Sequence, residues 1–251
     1  MSPRYRLLPA LVAAAALVAG GSAPATAAEA SSSTVLRLTF DHGETLAPGT
    51  LVVDDSGAEN HGAVGAKAGS DLRPGTRYWG STTAEFPRSC PERGCPRAVV
   101  EVADDDDLDP GFAPVTFGVR AKLLPEQATD GQNMLQKGLW GEPGGQWKLQ
   151  VDGQGGFPSC VVCGVDQYGA FRRVTVGSSV SITDGDWHRV VCRRTATSVD
   201  VLVDYEVVGS TRMRPVGLSS AADVLVGGKG LWNSDNDQFG GALDDVFVDV
   251  G

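Results

Sequence analysis

The stretch from Asp184 to Ser210 constrains what this chain can fold into more than any other. Asp184-Gly185-Asp186 is a polar turn, and Trp187-His188-Arg189-Val190-Val191-Cys192 follows it as an extended arm opened by an aromatic residue. In the next arm Val199, Val201 and Val203 share one face while Asp200, Leu202 and Asp204 take the other, the period of two expected of a half-buried strand. The two arms read as a β-hairpin, and its apolar face needs a second sheet to cover it.

The rest of the chain agrees. Thr34 to Phe40 alternates apolar and polar residues, and further short apolar runs fall at 98–102, 115–124, 147–151, 174–176, 224–226 and 243–250. Turn residues separate them: 33 glycines and 14 prolines are spread along the chain instead of gathering in a linker. Helical periodicity is hard to find. Many short strands between turns predict an all-β sandwich or barrel and argue against a βαβ fold. No internal repeat and no second domain is evident.

Arg4 and Arg6, the apolar run from Leu7 to Ala19 and the small residues ending in Ala25-Thr26-Ala27-Ala28 have the layout of a secretory signal peptide. The run is well short of the roughly 18 to 20 apolar residues a spanning helix needs, and no cysteine precedes Cys90 to carry a lipoprotein anchor. The expected organisation is a signal peptide over 1–28, a spacer over 29–34 and one domain over 35–251, secreted without a membrane anchor. Loss of Arg4 and Arg6 leaves 19 basic against 31 acidic residues, a net charge of about −12. Such a charge opposes binding to nucleic acid or anionic lipid. Neutral glycans, metal cations and extracellular proteins remain as partners.

Five cysteines in an exported chain imply disulfides and one unpaired thiol. Cys90 and Cys95 flank the turn-rich Pro91-Glu92-Arg93-Gly94 and are expected to pair across a hairpin tip. Cys192 needs a partner on a neighbouring strand, for which Cys160 and Cys163 compete. A redox Cys-x-x-Cys reading of that pair would need a strand-to-helix setting, which its surroundings do not supply.

Several segments together carry a resemblance. Thr39-Phe40-Asp41 with Asp54-Asp55-Ser56-Gly57 and Asn60-His61-Gly62, then Val99-Val100-Glu101-Val102 before Leu108-Asp109-Pro110-Gly111, then the Asp-Gly-Asp-Trp-His-Arg-Val hairpin, and finally Gly240-Gly241-Ala242-Leu243-Asp244-Asp245-Val246 stand in one order. This order resembles the laminin G-like domains of the concanavalin A-like lectin/glucanase superfamily, of the secreted bacterial type, over nearly the whole expected mature chain. Asp204-Tyr205-Glu206 departs from the usual Asp-Gly turn. The resemblance implies a two-sheet antiparallel jelly-roll sandwich. It also implies Cys160 as the partner of Cys192, with Cys163 left over, and one structural Ca²⁺ held by Asp41, Asn60 and Asp244, where the first strand, an early loop and the last strand would meet. Calcium takes about 6 to 8 oxygens, so carbonyls and water would complete such a shell.

Asn233, Asp235, Asp237 and Asp244 fit an EF-hand spacing only superficially, because Gln238 stands where that loop needs glycine. Asp104 to Asp107 reads as a solvated acidic loop. Trp79, Trp140, Tyr168 and Trp232 border glycine or polar loop residues, and Trp140, Trp232, Asn233 and Asn236 are the expected ligand contacts; Trp147 and Trp187 read as core or sheet-facing. Glycanases of this superfamily cut with paired carboxylates in a Glu-x-Asp-x-x-Glu arrangement, of which Glu101 and Asp104 supply only the beginning. His42, His61 and His188 are too few for a zinc site, and no Gly-x-Ser-x-Gly elbow is present. The expectation is a non-catalytic recognition module for glycan or another extracellular surface, with a glycan hydrolase or a purely protein-binding domain as the alternatives.

Overall fold

The computed structural model describes residues 32–43, 45–78, 80–89, 94–231 and 236–251. The expected signal peptide, Trp79, Cys90, Trp232 and Asn233 lie outside the described residues. In chain order the strands are β1 (Ser33–Leu38), β2 (Leu51–Val52), β3 (Gly62–Lys67), β4 (Arg73–Thr76), β5 (Thr82–Glu85) and β6 (Arg97–Val102). There follow β7 (Val115–Lys122), β8 (Gln132–Lys137), β9 (Gln146–Asp152), β10 (Phe157–Val165) and β11 (Phe171–Gly177). The last are β12 (Trp187–Arg194), β13 (Ser198–Val203), β14 (Glu206–Arg212), β15 (Val224–Val226) and β16 (Ala242–Val250). Among the described residues no helix is long and apolar enough to cross a membrane.

The strands form two antiparallel sheets. Sheet one runs β14-β13-β12-β7-β16-β5-β4, with β1 also paired to β16, and sheet two runs β11-β10-β9-β8-β15-β6-β3-β2. Their inner faces make one core, as the alternating sequence requires. Val199, Val201 and Val203 of β13 are buried there, with Val190, Val119 and Phe117 from the strands beside them. Phe117 on β7 meets Trp147 on β9 across the sheets with ring centroids 4.6 Å apart. Cys160 on β10 and Cys192 on β12 are both fully buried and bridge the two sheets, with Cα atoms 5.5 Å apart. The partner of Cys192 is thus Cys160, and Cys163 is the free, buried thiol. Cys95 is disulfide-bonded.

Two local departures place functional side chains. The first strand ends at Leu38, short of the expected Phe40, because Phe40 takes φ 60° and leaves the sheet. In β16 the register shifts between Asp244 and Phe247, and Asp245 has φ 46°. This bulge puts two residues between the inward Leu243 and Val246, and so lines up two carboxylates where regular alternation would leave one.

The turn before β12 explains its polar wording. Asp184 Oδ1 accepts from the backbone of Asp186 at 2.9 Å and meets His188 Nε2 at 3.0 Å, while His188 Nδ1 meets Asp204 Oδ2 at 2.8 Å. Burial pulls the His188 pKa down, but the hydrogen bonds to Asp204 and Asp184 outweigh it and the net shift is upward. A histidine whose folded value exceeds its unfolded value stabilises the fold fully below about pH 6.5 and loses that contribution as pH rises through the folded value. Denaturation midpoints are therefore expected to fall as pH is raised from 6 through the His188 titration, and His188→Gln should flatten that slope. An NMR titration placing His188 below the ordinary histidine value would contradict this.

Candidate functional site

Sheet two carries a continuous row of cross-strand neighbours on its outer face: Ala63, Glu101, Leu225, Gln136, Lys148, Val161 and Thr175, from β3 through β6, β15, β8, β9 and β10 to β11. Because side chains alternate along a strand, the inward positions beside this row are Val100, Val102, Leu135, Trp147, Leu149, Cys160 and Val162, all core. Outward stand Gln146, Gln150, Ser159 and Cys163, with Arg173 at the edge. Three strands, β6, β8 and β9, thus bring amides, an ammonium and a carboxylate to one sheet face.

The polar groups here are partly spent on one another. Asn133 Nδ2 donates to Gln136 Oε1, Gln146 Nε2 to the Gly138 carbonyl, and Gln150 Nε2 to Asp152 Oδ2. Asn133 Oδ1 and Ser159 Oγ are buried without a hydrogen-bond partner, a condition that costs roughly 1–3 kcal/mol per group. The segment after β15 folds back over the face: Leu231 packs beside Gly65, and Lys229 pairs with Asp237 at 3.0 Å. Burial pushes the Lys148 ammonium below the ordinary lysine range against the opposing pull of Asp237. The Glu101 carboxyl is raised by burial and by the charge of Asp223.

The two expected ligand contacts among the described residues, Trp140 and Asn236, do not converge. Trp140 is 64% exposed on the β8–β9 connection, at the Lys137 end of the sheet. Asn236 follows β15, whose antiparallel register with β8 puts it at the opposite end. There it is buried, with its amide donating to Gln238 Oε1 at 3.1 Å. Tyr168 is 72% exposed beneath Arg214. No motif search would have found the sheet-two row, because its members sit at 101, 136, 148 and 225 and meet only through strand pairing.

The expected calcium ligands are each engaged by protein groups. Asp41 Oδ1 accepts from the Thr82 backbone at 2.6 Å. Asn60 donates to the Val35 carbonyl and to Asp107 Oδ1, both at 2.8 Å, in a loop organised by Asp54. Asp244 is 1% exposed, and its Oδ2 takes Arg77 Nε at 2.8 Å and Ser81 Oγ at 3.2 Å while Oδ1 accepts the Asp245 amide. A guanidinium occupies the place a cation would take, so these residues do not fit the ion. Among the described residues no three His, Cys, Asp or Glu side chains gather around another metal position. Thermal midpoints are expected to be equal in calcium and in EDTA. A calcium-dependent rise lost in Asp244→Asn would restore the ion. The acidic run before β7 also has a structural use: Asp104 and Asp109 both pair with Lys137, which is 1% exposed and also donates to the carbonyls of Ser220 and Ala222.

Residues 100–248 match the family described as the concanavalin A-like lectin/glucanases superfamily. No curated protein matches the chain by sequence. Domain 4 of AbnA, a GH43 extracellular arabinanase from Geobacillus stearothermophilus solved in complex with arabinotriose, superposes with TM-score 0.62 at 14% identity, over 88% of this chain and 93% of that one. The binding domain of Paraclostridial Mosquitocidal Protein 1 gives TM-score 0.54 at 14% identity over 86% of this chain and 48% of its own. The binding domain of Botulinum neurotoxin DC, solved in complex with SialylT, gives 0.54 at 10% identity over 86% and 47%. The chain spans about half the length of these toxin binding domains. At such identities the likeness is one of fold.

Proposed function

Because the chain belongs to the concanavalin A-like lectin/glucanase superfamily, which matches more than half of its length, we propose that it is a secreted, non-catalytic module that binds glycan on the outer face of sheet two. The observation that carries this reading is the row running from Glu101 through Leu225 to Lys148, with Gln136 buried between them and holding it in register. A sugar hydroxyl both donates and accepts, as amide, ammonium and carboxylate groups together can answer, and the aliphatic neighbours suit the C–H faces of a ring. The arabinotriose held by the arabinanase domain and the SialylT bound to the neurotoxin domain support a saccharide on this architecture.

A polysaccharide pull-down and glycan-array screen tests the reading. Binding of at least one glycan is expected, weakened about tenfold or more by Lys148→Ala, since a hydrogen bond to a charged group is worth roughly 1.5–3 kcal/mol. An array without retained glycan would leave an extracellular protein as the partner.

One observation favours a hydrolase instead: Glu101 has a raised pKa and a second carboxylate, Asp223, close enough to act on it, as a general acid would. Against it, Asp223 Oδ1 is engaged by the Asp104 amide at 3.1 Å and Asp104 itself pairs with Lys137. Incubation with β-glucans, xylan and galactans is expected to release no reducing ends. Turnover abolished by Glu101→Gln would establish the enzyme.

A further inference from the structure

The outer face of sheet one holds a cavity of about 270 Å³ lined by Arg37, Arg120, Arg189, Tyr205, Phe247 and Asp249, with Thr34 and Asp245. Three guanidinium groups converge there on a strongly acidic protein. Arg120 and Arg37 are occupied: Asp245 receives Arg120 Nε at 3.0 Å and Arg77 at 2.9 Å, with Arg37 at 3.8 Å. Asp249 accepts from Thr34 Oγ1 at 2.7 Å. Arg189 differs. Its guanidinium lies 4.8 Å from the ring centre of Phe247 and 5.1 Å from that of Tyr205, and among the described residues its side chain has no ion pair or hydrogen bond. Gly118 leaves room for this arrangement, because a Cβ there would stand 2.8 Å from the Phe247 ring. Burial, with the like charge of Arg120, lowers the Arg189 pKa against the opposing pulls of Tyr205, Asp249 and Asp245.

A second, independent observation concerns Tyr205. It forms with Asp204 the two-residue connection between β13 and β14, and both have positive φ, 49° for Asp204 and 72° for Tyr205. Such turns favour Asn-Gly or Asp-Gly, and a bulky residue in the left-handed region is an outlier whose persistence points to a use. The exposed ring of Tyr205 caps the Arg189 pocket.

We propose that Arg189, held between Tyr205 and Phe247, is a recognition site for the carboxylate of an acidic sugar, a uronate residue of a glycan. The planar fork of arginine matches a carboxylate through two parallel hydrogen bonds. Tyr205 offers an aromatic face to the sugar ring, and Thr34 and Asp249 stand by for hydroxyls. The cavity falls just below the roughly 300 Å³ at which pockets for drug-sized ligands begin, which suits one ring and not a chain segment. This site is on the face opposite the sheet-two row, and it goes beyond the reading above in location and in ligand charge.

The test titrates the whole protein with oligogalacturonides, with the same oligosaccharides after carboxyl reduction, with a sulfated oligosaccharide and with a polyglutamate peptide, following affinity by calorimetry and the Arg189 Nε–H resonance by NMR. Oligogalacturonides are expected to bind and shift that resonance, while the carboxyl-reduced chains do not. Arg189→Lys keeps the charge, loses the fork and should weaken binding at least tenfold. Tyr205→Gly should also weaken it at least tenfold while leaving the thermal midpoint unchanged or higher, an outcome a purely structural tyrosine would not give. Equal binding of the reduced chains, an unmoved Arg189 resonance at millimolar uronate, or unchanged affinity in both variants would overturn the proposal. A preference for the sulfated chain or for polyglutamate would overturn it as well. Neutral-glycan binding through Lys148 should survive Arg189→Lys, so failure here leaves the sheet-two reading standing.

Discussion

Arg194→Met is expected to lower the unfolding free energy by about 2–3 kcal/mol, because it takes the donors away from a set of part-buried carbonyls. Arg194 closes β12 with 1% of its surface exposed, and among the described residues its cation pairs with no carboxylate. Its two terminal nitrogens instead donate to the carbonyls of Gly111, Phe112, Ala113 and Val216, with distances of 3.2 to 3.4 Å for three of them. Burial pulls its pKa to about 10, so it stays charged at neutral pH. Methionine preserves much of the volume, which isolates the hydrogen bonds from any cavity, and each carbonyl left without a donor costs roughly 1–3 kcal/mol. Arg194→Lys should fall between, since one ammonium cannot serve all four acceptors. A loss below 1 kcal/mol for Arg194→Met in urea unfolding would show that the two loops it ties, 111–113 and 216, are held by other means.

Removing the Cys160–Cys192 bridge is expected to cost a comparable amount. The cysteines are 32 residues apart in sequence, and the loop-closure entropy such a cross-link takes from the unfolded chain corresponds to about 3–4 kcal/mol. The double variant Cys160→Ala, Cys192→Ala also leaves two small voids between the sheets, where both positions are fully buried, so the measured loss should not fall below that range. Chemical denaturation of parent and variant measures it. A difference under 1 kcal/mol would mean that the two sheets are already held together in the unfolded ensemble or that the bridge is strained.

What was legible in the sequence was whatever repeats over two to ten residues. The hairpin of β12 and β13 could be read at Trp187 and at Val199, Val201 and Val203 because period-two alternation is a local property of strands. The motif around Asp54 and Asn60 was legible as a motif, yet its role was not. Asp54 accepts from the backbones of Arg37, Ser56 and Asn60 and from the Ser56 hydroxyl, and its own amide donates to His61. The motif ties β1 to the loop before β3. Asp244 was legible as an acidic residue of the last strand, but its partner Arg77 lies 167 positions upstream, beyond any local window. Arg37, Arg120 and Arg189 likewise sit on three different strands, and no window along the chain brings them together. The choice of Cys160 over Cys163 came from the resemblance, and the strand explains it: three residues apart on β10, they point to opposite faces, and only Cys160 faces the other sheet.

The position of β16 has a consequence in time. It comes after every other described strand in chain order, yet in sheet one it is the partner of β1, β5 and β7. Between the synthesis of Lys122 and that of Ala242 the chain grows by 120 residues (242 minus 122). In a chain that emerges N-terminus first, the β7 edge that takes β16 therefore stays unpaired over that whole stretch. Such an edge is a template for any other strand that meets it. Sheet two can assemble earlier, since its last strand, β15, ends at Val226. In such a chain sheet two can be completed before sheet one, and the open edge of β7 is covered only when residues 242 to 250 arrive.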